Sequence, residues 1–211
     1  MIGNKLVSQQ NKQMLMNWPE RVWIYSPLRL IFQKREMRKW IRIGLPPNRQ
    51  IALEIGCGLG RGAKLISDCM GFQDVIAFDL ETKLVRKSRN GLGKTSVKNL
   101  HFLTADAQNL PFPDQSFDAV FNYGIIHHVL DWRQCLAEIH RVMKPLAIFY
   151  FEEIYPPLYA NWLFKKMLRH PTEDRFYESD FIGQLSGLGM KVRDGTKTGS
   201  RFGVIGAAQK H

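Results

Sequence analysis

The stretch 51-IALEIGCGLGRGAKLISDCM-70 decides the fold. Its first five residues are a short apolar run suited to a buried strand, and 61–70 carries apolar side chains at helical spacing. Between them Gly56, Gly58 and Gly60 make a glycine-rich turn. Glycine is needed where a strand turns tightly into a helix, and where a ligand approaches backbone with no Cβ in the way. The spacing is GxGxG, with Arg61 standing where a dinucleotide fingerprint GxGxxG has its third glycine. Glu54, two residues before the first glycine, would repel a pyrophosphate and favour a cationic ligand. A tight turn that binds nothing is the plainer alternative.

Outward from this stretch, short apolar runs at 75–78, 100–103, 118–122 and 147–152 alternate with amphipathic segments at 82–91 and 133–142. This is the pattern of an α/β domain with a parallel sheet. After Pro156-Pro157 one or two helices are expected (158–168, 179–188), then strands near 191–194 and 201–208. Asp79 ends the second strand in 75-VIAFDLETK-83, where a carboxylate can accept the hydroxyls of a ribose. Asp106, after the third strand in 104-TADAQNLPFPDQSFDAV-120, can accept from an adenine amino group, with the Ala107 N–H beside it. Each acid alone could be a turn residue or a cap. Glu54, Asp79 and Asp106 follow or end successive strands, and open α/β sheets bind ligands at that carboxyl edge.

The segments 53-LEIGCGLGRG-62, 78-FDLE-81, 104-TADAQNLPFPDQSFDAVF-121, 124-GIIHHVLDW-132 and 138-EIHRVMKP-145 together resemble the class I S-adenosylmethionine-dependent methyltransferases. Within them the chain resembles the type 11 group, which includes ubiquinone/menaquinone-biosynthesis C-methyltransferases. The resemblance covers about residues 51–155. It implies a Rossmann-like, seven-stranded, mostly parallel sheet with helices on both faces and an antiparallel last strand. It also implies S-adenosyl-L-methionine as cofactor, with S-adenosyl-L-homocysteine as product. By the same resemblance Gly56, Cys57, Gly58 and Gly60 form the turn around the methionine part, with Glu54 near its amino group. Asp79 would take the ribose, Leu80 would pack on the adenine, Asp106 and Ala107 would read its edge, and Asn122 would sit near the methionine moiety. One departure is visible: family members usually follow Lys-Pro with two glycines, whereas this chain reads 143-MKPLAIFYFEE-153. The turn before the fifth strand is therefore expected to be shorter or differently built.

The composition suits a globular domain: 211 residues, 45% hydrophobic, 17 Gly and 10 Pro, which excludes collagenous and low-complexity chains. Cys57, Cys69 and Cys135 are too few and scattered for a disulfide framework, and no Cys/His cluster suggests a metal. No apolar run approaches the ~20 residues that span a bilayer, and the first residues lack a signal-peptide core, so a cytoplasmic protein is expected. The formal net charge is +11, but it is unevenly spread: residues 1–50 carry +8, 51–150 carry +1 and 151–211 carry +2. The basic excess belongs to an N-terminal extension (1–47) ahead of a cofactor-binding domain (48–211), whose stretch 155–188 is expected to help define the acceptor.

That extension contains a helix over 27–43, with Ser26 as N-cap, Pro27 at the first position, and Gly44 and Pro46-Pro47 as the stop. Leu30, Met37, Trp40 and Ile41 fall on one side of its wheel; Lys34, Arg35, Arg38, Lys39 and Arg42 fall on the other. The simpler reading is a helix packed on the main domain with a solvated basic face. The sharper one is peripheral contact with an anionic membrane. Trp18, Trp23 and Tyr25 make an aromatic entry to it that suits either a lid or a core anchor.

Methyl transfer from a sulfonium is an in-line displacement, so positioning and desolvation are the protein's main work. A base is needed only when the acceptor must lose a proton. His127, His128 and Tyr123 are the candidate catalytic residues, and Glu152 is a further candidate base. A small-molecule or lipid-like acceptor is the favoured reading. A nucleic-acid methyltransferase ranks lower, because 51–150 is near neutral and no Asn/Asp-Pro-Pro-Tyr/Phe motif occurs. A binding module that kept the fold without the chemistry is the third alternative.

Overall fold

Strand β1 (Ile51–Ile55) sits mid-sheet, paired in parallel with β2 (Asp74–Asp79) on one side and β4 (Phe117–Tyr123) on the other. The structure, a computed structural model, describes residues 21–22, 25–92, 99–159 and 174–211. The sheet has seven strands in the order β3-β2-β1-β4-β5-β7-β6. Here β3 is Leu100–Thr104, β5 is Met143–Ile154, β6 is Met190–Val192 and β7 is Gly203–Lys210. Only β7 runs antiparallel to its neighbours, β5 and β6. Strand order reverses between β1 and β4, which opens a crevice outside their carboxyl ends.

Helices cover both faces because the central strands are buried on both. Helix α1 (Pro27–Ile43) and α2 (Arg61–Met70) lie on one face, where Trp40, Ile66, Phe72, Phe121 and Tyr150 pack together. Helices α4 (Trp132–Val142) and α6 (Glu178–Gly187) lie on the other, with Trp132, Ile139, Phe149, Phe151 and Phe181. Helix α3 (Thr82–Leu92) joins β2 to β3, and the short α5 (Pro156–Tyr159) follows β5. The expected helix over 158–168 begins earlier, at Pro156, and residues 160–168 lie outside the described residues.

The turn before β5 is the point where the glycine pair is missing. Strand β5 starts at Met143, directly off the end of α4, rather than at residue 147. The bend is taken up by Leu146, at φ 64°, and by a register shift opposite 117–119 of β4. A left-handed leucine replaces the glycine the turn would favour, and half of its surface is exposed.

Helix α1 starts and stops as its sequence specifies. Ser26 Oγ accepts from Leu28 N at 3.2 Å, and Gly44, at φ 122°, donates its N–H to Trp40 O. Trp40 is fully buried, its ring 4.6 Å from that of Tyr123, and Nε1 donates to Phe151 O. The buried arc is rotated from the one the apolar residues suggest. It comprises Gln33, Glu36, Met37 and Trp40, while Ile41 is exposed and Leu30 only half-buried. The reason is polar: Glu36 turns inward to pair with Arg29 at 3.3 Å. Of the aromatic entry, Trp18 and Trp23 lie outside the described residues, and the Tyr25 hydroxyl accepts from Lys87 Nζ at 2.7 Å.

Candidate functional site

The glycine turn leaves β1 in left-handed geometry: φ is 66° at Gly56, 54° at Gly58 and 72° at Gly60. A Cβ on Gly56 would stand 2.5 Å from Ile125 Cγ2, so the Ile125 side chain of the loop after β4 packs directly on the turn. Asp79 holds the turn from the side. Its Oδ2 accepts from Gly58 N and its Oδ1 from Glu81 N, both at 2.9 Å. Ser88, from α3, donates to Gly58 O at 2.9 Å. Burial raises the Asp79 carboxyl above its usual range, partly offset by these amides. Cys57 donates its N–H to Phe78 O, and burial pushes its thiol up, so it shapes the turn and is no nucleophile.

Beside the turn is an open cleft of about 530 Å³. Of the residues singled out in sequence, Gly56, Asp79, Leu80, Asp106, Ala107 and His128 line it, and Phe78, Ala105, Ile125 and Val129 complete the wall. Cys57, Gly58, Gly60, Glu54, Asn122, Tyr123 and His127 stand behind this lining. The Asp106 loop is kept in place from α4. Glu138 Oε2 accepts from Leu110 N at 2.7 Å, and Arg141 donates to the carbonyls of Leu110 and Phe112 and to Asp114. This explains why 104–121 and 138-EIHRVMKP-145 occur together: one is the loop and the other is its clamp.

Glu153 organises the opposite wall. It is buried, and its carboxylate accepts from Asn122 Nδ2 at 2.6 Å, Ile126 N at 2.7 Å and His127 Nδ1 at 2.7 Å. Asn122 Oδ1 in turn accepts from Ile125 N at 3.0 Å. These bonds pin the single 3₁₀ turn Ile126–His128, on which the rings of His127 and His128 lie 4.3 Å apart. The two histidines are thus distinguished. His127 is 3% exposed and tied to Glu153, whereas His128 faces the cleft. In sequence Glu153 carried no signal separating it from its neighbour Glu152.

Two buried acids, Glu54 and Glu36, and the partly buried Glu152 have raised carboxyls. Glu54 is 1% exposed with Oε2 unpartnered, and burial pushes its carboxyl up to about 8. Glu36 and Glu152 are raised for the same reason, with Arg29 opposing the shift in both. Arg29 donates to Tyr123 O at 2.6 Å and reaches Glu152 at 4.0 Å. The Tyr123 side chain is buried against Trp40, and burial together with Glu54 and Glu36 pushes its phenol well up. A phenolate is therefore disfavoured there, which corrects the expectation of Tyr123 as a base. Its carbonyl accepts from Arg29.

Residues 53–151 match the model of a family described as a methyltransferase domain. Over this stretch, just under half of its length, the chain is similar to the type 11 methyltransferases. The chain is 32% identical over 104 residues to phthiotriol/phenolphthiotriol dimycocerosates methyltransferase of Mycobacterium tuberculosis, covering 49% of this chain and 37% of that one. Against fatty-acid O-methyltransferase of Mycolicibacterium smegmatis it is 33% identical over 104 residues, with the same coverage. The chain thus spans little more than a third of the length of these curated relatives. The crystal structure of the YcgJ protein of Bacillus subtilis superposes with a TM-score of 0.65 at 25% identity, covering 75% of this chain and 69% of that chain.

S-adenosylmethionine, which the family implies, fits the residues of this methyltransferase domain. Gly56 of the left-handed turn lines the cleft, Asp79 and Asp106 present acceptors to it, and Oε2 of Glu54 is buried without a partner. Sequence reasoning overlooked Ser88 and Arg29, and it placed Glu152 and Glu153 together at the end of the fifth strand without separating them. Ser88 and Arg29 lie in no motif, and their partners are 30 and 94 residues away.

Proposed function

We propose that this chain is an S-adenosylmethionine-dependent methyltransferase acting on a small, lipid-like acceptor. The observation that carries the proposal is the convergence of Gly56, Asp79 and Asp106 from three separate strand ends on one cleft. The cofactor, when bound, supplies a methyl group on a sulfonium. Asp79 would accept from the ribose hydroxyls with the lone pairs left over from Gly58 and Glu81, and Leu80 would pack on the adenine. Asp106 and the Ala107 amide would read the adenine edge. Glu54, Asn122 and the turn at 56–60 would hold the methionine end. The relatives named for a fatty acid and for a phthiotriol dimycocerosate support the lipid-like class of acceptor.

His128 is the group placed to take a proton from an acceptor hydroxyl at the cleft, with His127 and Glu153 fixing its position from behind. Where the acceptor needs no deprotonation, the same groups exclude water and align it. Titration of the intact chain with S-adenosylhomocysteine in a calorimeter tests the donor site. Saturable binding that Asp79→Ala weakens tenfold or more supports it. Absence of binding sinks the methyltransferase reading. Transfer of a labelled methyl group into a fatty-acid and lipid-alcohol panel then tests the acceptor class.

A further inference from the structure

Helix α1 is seated on the sheet over a set of acids that share one guanidinium. Tyr123 of β4 pairs in register with Glu152 of β5, so their side chains leave the same face of the sheet. Glu54 of β1 pairs with Phe121, two residues before Tyr123, and leaves that face as well. A Cβ on Gly62 of α2 would meet both the Glu54 carboxyl and the Tyr123 ring, which places the two side by side. From above, α1 brings its only acid, Glu36, together with Arg29. Arg29 pairs with Glu36 at 3.3 Å, donates to Tyr123 O at 2.6 Å and reaches Glu152 at 4.0 Å. Oε2 of Glu36, Oε2 of Glu54, Oε1 of Gln33 and the Tyr123 hydroxyl are buried with no hydrogen-bond partner.

The other charged neighbours do not balance this set. Lys39 acts on Glu36 and Glu152 but is half-exposed. Asp79 of β2 and Glu153 of β5 add negative charge, and the thiols of Cys57 and Cys69 stand within reach of Glu54 and Tyr123. On α2, Arg61 donates to Ser26 O at the start of α1, and Lys64 pairs with Asp68 in solvent. Lys210, the only charge of β7, is taken by the carbonyls of His140 and Met143. With all three carboxyls ionised, the excess negative charge would lie between helix and sheet, where water screens it poorly. Burial raises all three, Glu54 to about 8.

We propose that α1 is a proton-dependent latch: it stays seated while Glu36, Glu54 and Glu152 share protons, and it lifts as they ionise. The acids straddle the joint, one on the helix and two on the sheet, so their repulsion acts on the seat itself. Lifting withdraws Arg29 from the carbonyl of Tyr123, two residues before Ile125 of the cleft wall. The latch therefore abuts the cleft. The inference stands on packing and charge, independently of any methyl transfer.

Hydrogen exchange of the intact chain tests it, read by mass spectrometry between about pH 6 and 9 and corrected for the intrinsic rate. Peptides of α1 are compared with peptides of α4, on the opposite face of the sheet. The seated state holds protons that the lifted state, with carboxyls near 4.5, releases. Seating is therefore strongest at low pH and weakens until about pH 8, where the Glu54 carboxyl ionises in place. The expected result is α1 protection below that of α4, falling about tenfold per pH unit for each proton released and levelling above that point. Glu36→Gln and Glu152→Gln are each expected to make the fall shallower. Glu152 is only partly buried, so its variant keeps the test open should Glu36→Gln fail to fold, which circular dichroism reads. Protection of α1 equal to that of α4 at every pH, a flat pH response of α1, or the parental slope in every folded variant overturns the proposal.

Discussion

His127 Nδ1 donates to Glu153 Oε2 at 2.7 Å, between a turn after β4 and a residue of β5, with both side chains almost fully buried. The same carboxylate takes the Ile126 amide and the Asn122 side chain. One buried acid therefore decides where His128 stands in the cleft. Losing acceptor capacity there leaves buried donors unpaired, at about 1–3 kcal/mol. Glu153→Gln is expected to lower Tm by roughly 2–12 °C, taking about 2–4 °C per kcal/mol for a domain of this size. Differential scanning calorimetry reads this directly; an unchanged Tm would mean the network contributes little.

His128→Asn should separate chemistry from binding. The side chain lines the cleft but is not part of the Glu153 network, so the fold is expected to persist. With an acceptor that must lose a proton, kcat is expected to fall about 10²–10⁴-fold while S-adenosylhomocysteine affinity stays within a few-fold. Equal loss of kcat and donor affinity would assign His128 to cofactor binding instead.

Gly62 sets how closely α2 approaches the sheet. A Cβ there would lie 2.0 Å from Glu54 Oε1 and 2.8 Å from the Tyr123 ring. Gly62→Ala is expected to destabilise by about 1–3 kcal/mol through overpacking, despite the better helix propensity of alanine. Urea denaturation with an unchanged m-value checks this.

Glu54 gives stability a definite pH dependence. Its carboxyl titrates near 4.5 in the open chain and is pushed up to about 8 by burial in the fold. The folded state thus holds a proton that the unfolded state releases. The contribution is fully present below pH 4.5 and is lost as pH rises through 8. Between those values Glu54→Gln is expected to flatten the fall by about 1 kcal/mol per pH unit, with the residual slope coming from Glu36 and Glu152. Stability curves of parent and variant that run parallel would place Glu54 in an ordinary ionised state.

Much of this was legible in the chain itself. Alternating apolar runs specify the strands from β1 to β4 nearly to the residue, because burial on both faces demands continuous hydrophobicity. The glycines mark their own turn, because the left-handed φ they adopt is costly for other residues. Asp79 and Asp106 stand out because they sit at or just after strand ends. The start of β5 was harder to place, since Leu146 adopts the positive φ that glycine favours, and nothing in its side chain signals that. The buried arc of α1 was also misplaced. Apolar side chains point outward at Leu28, Ile31 and Phe32, while Glu36 and Gln33 go in, and no hydrophobic periodicity encodes an Arg29–Glu36 pair.

The sequence by itself determined the sheet, the glycine turn and the acids at the cleft, since each rests on contacts within a few residues or on a repeating pattern. Which histidine faces the cleft, that the Tyr123 phenol is buried, and that Glu153 rather than Glu152 holds the wall emerge only once the chain is packed. Those distinctions depend on burial and on hydrogen bonds between residues 26 and 94 positions apart. Neighbouring residues of one type, as in His127-His128 and Glu152-Glu153, differ only in the side of the backbone they leave from. That side acquires meaning once the strands have paired.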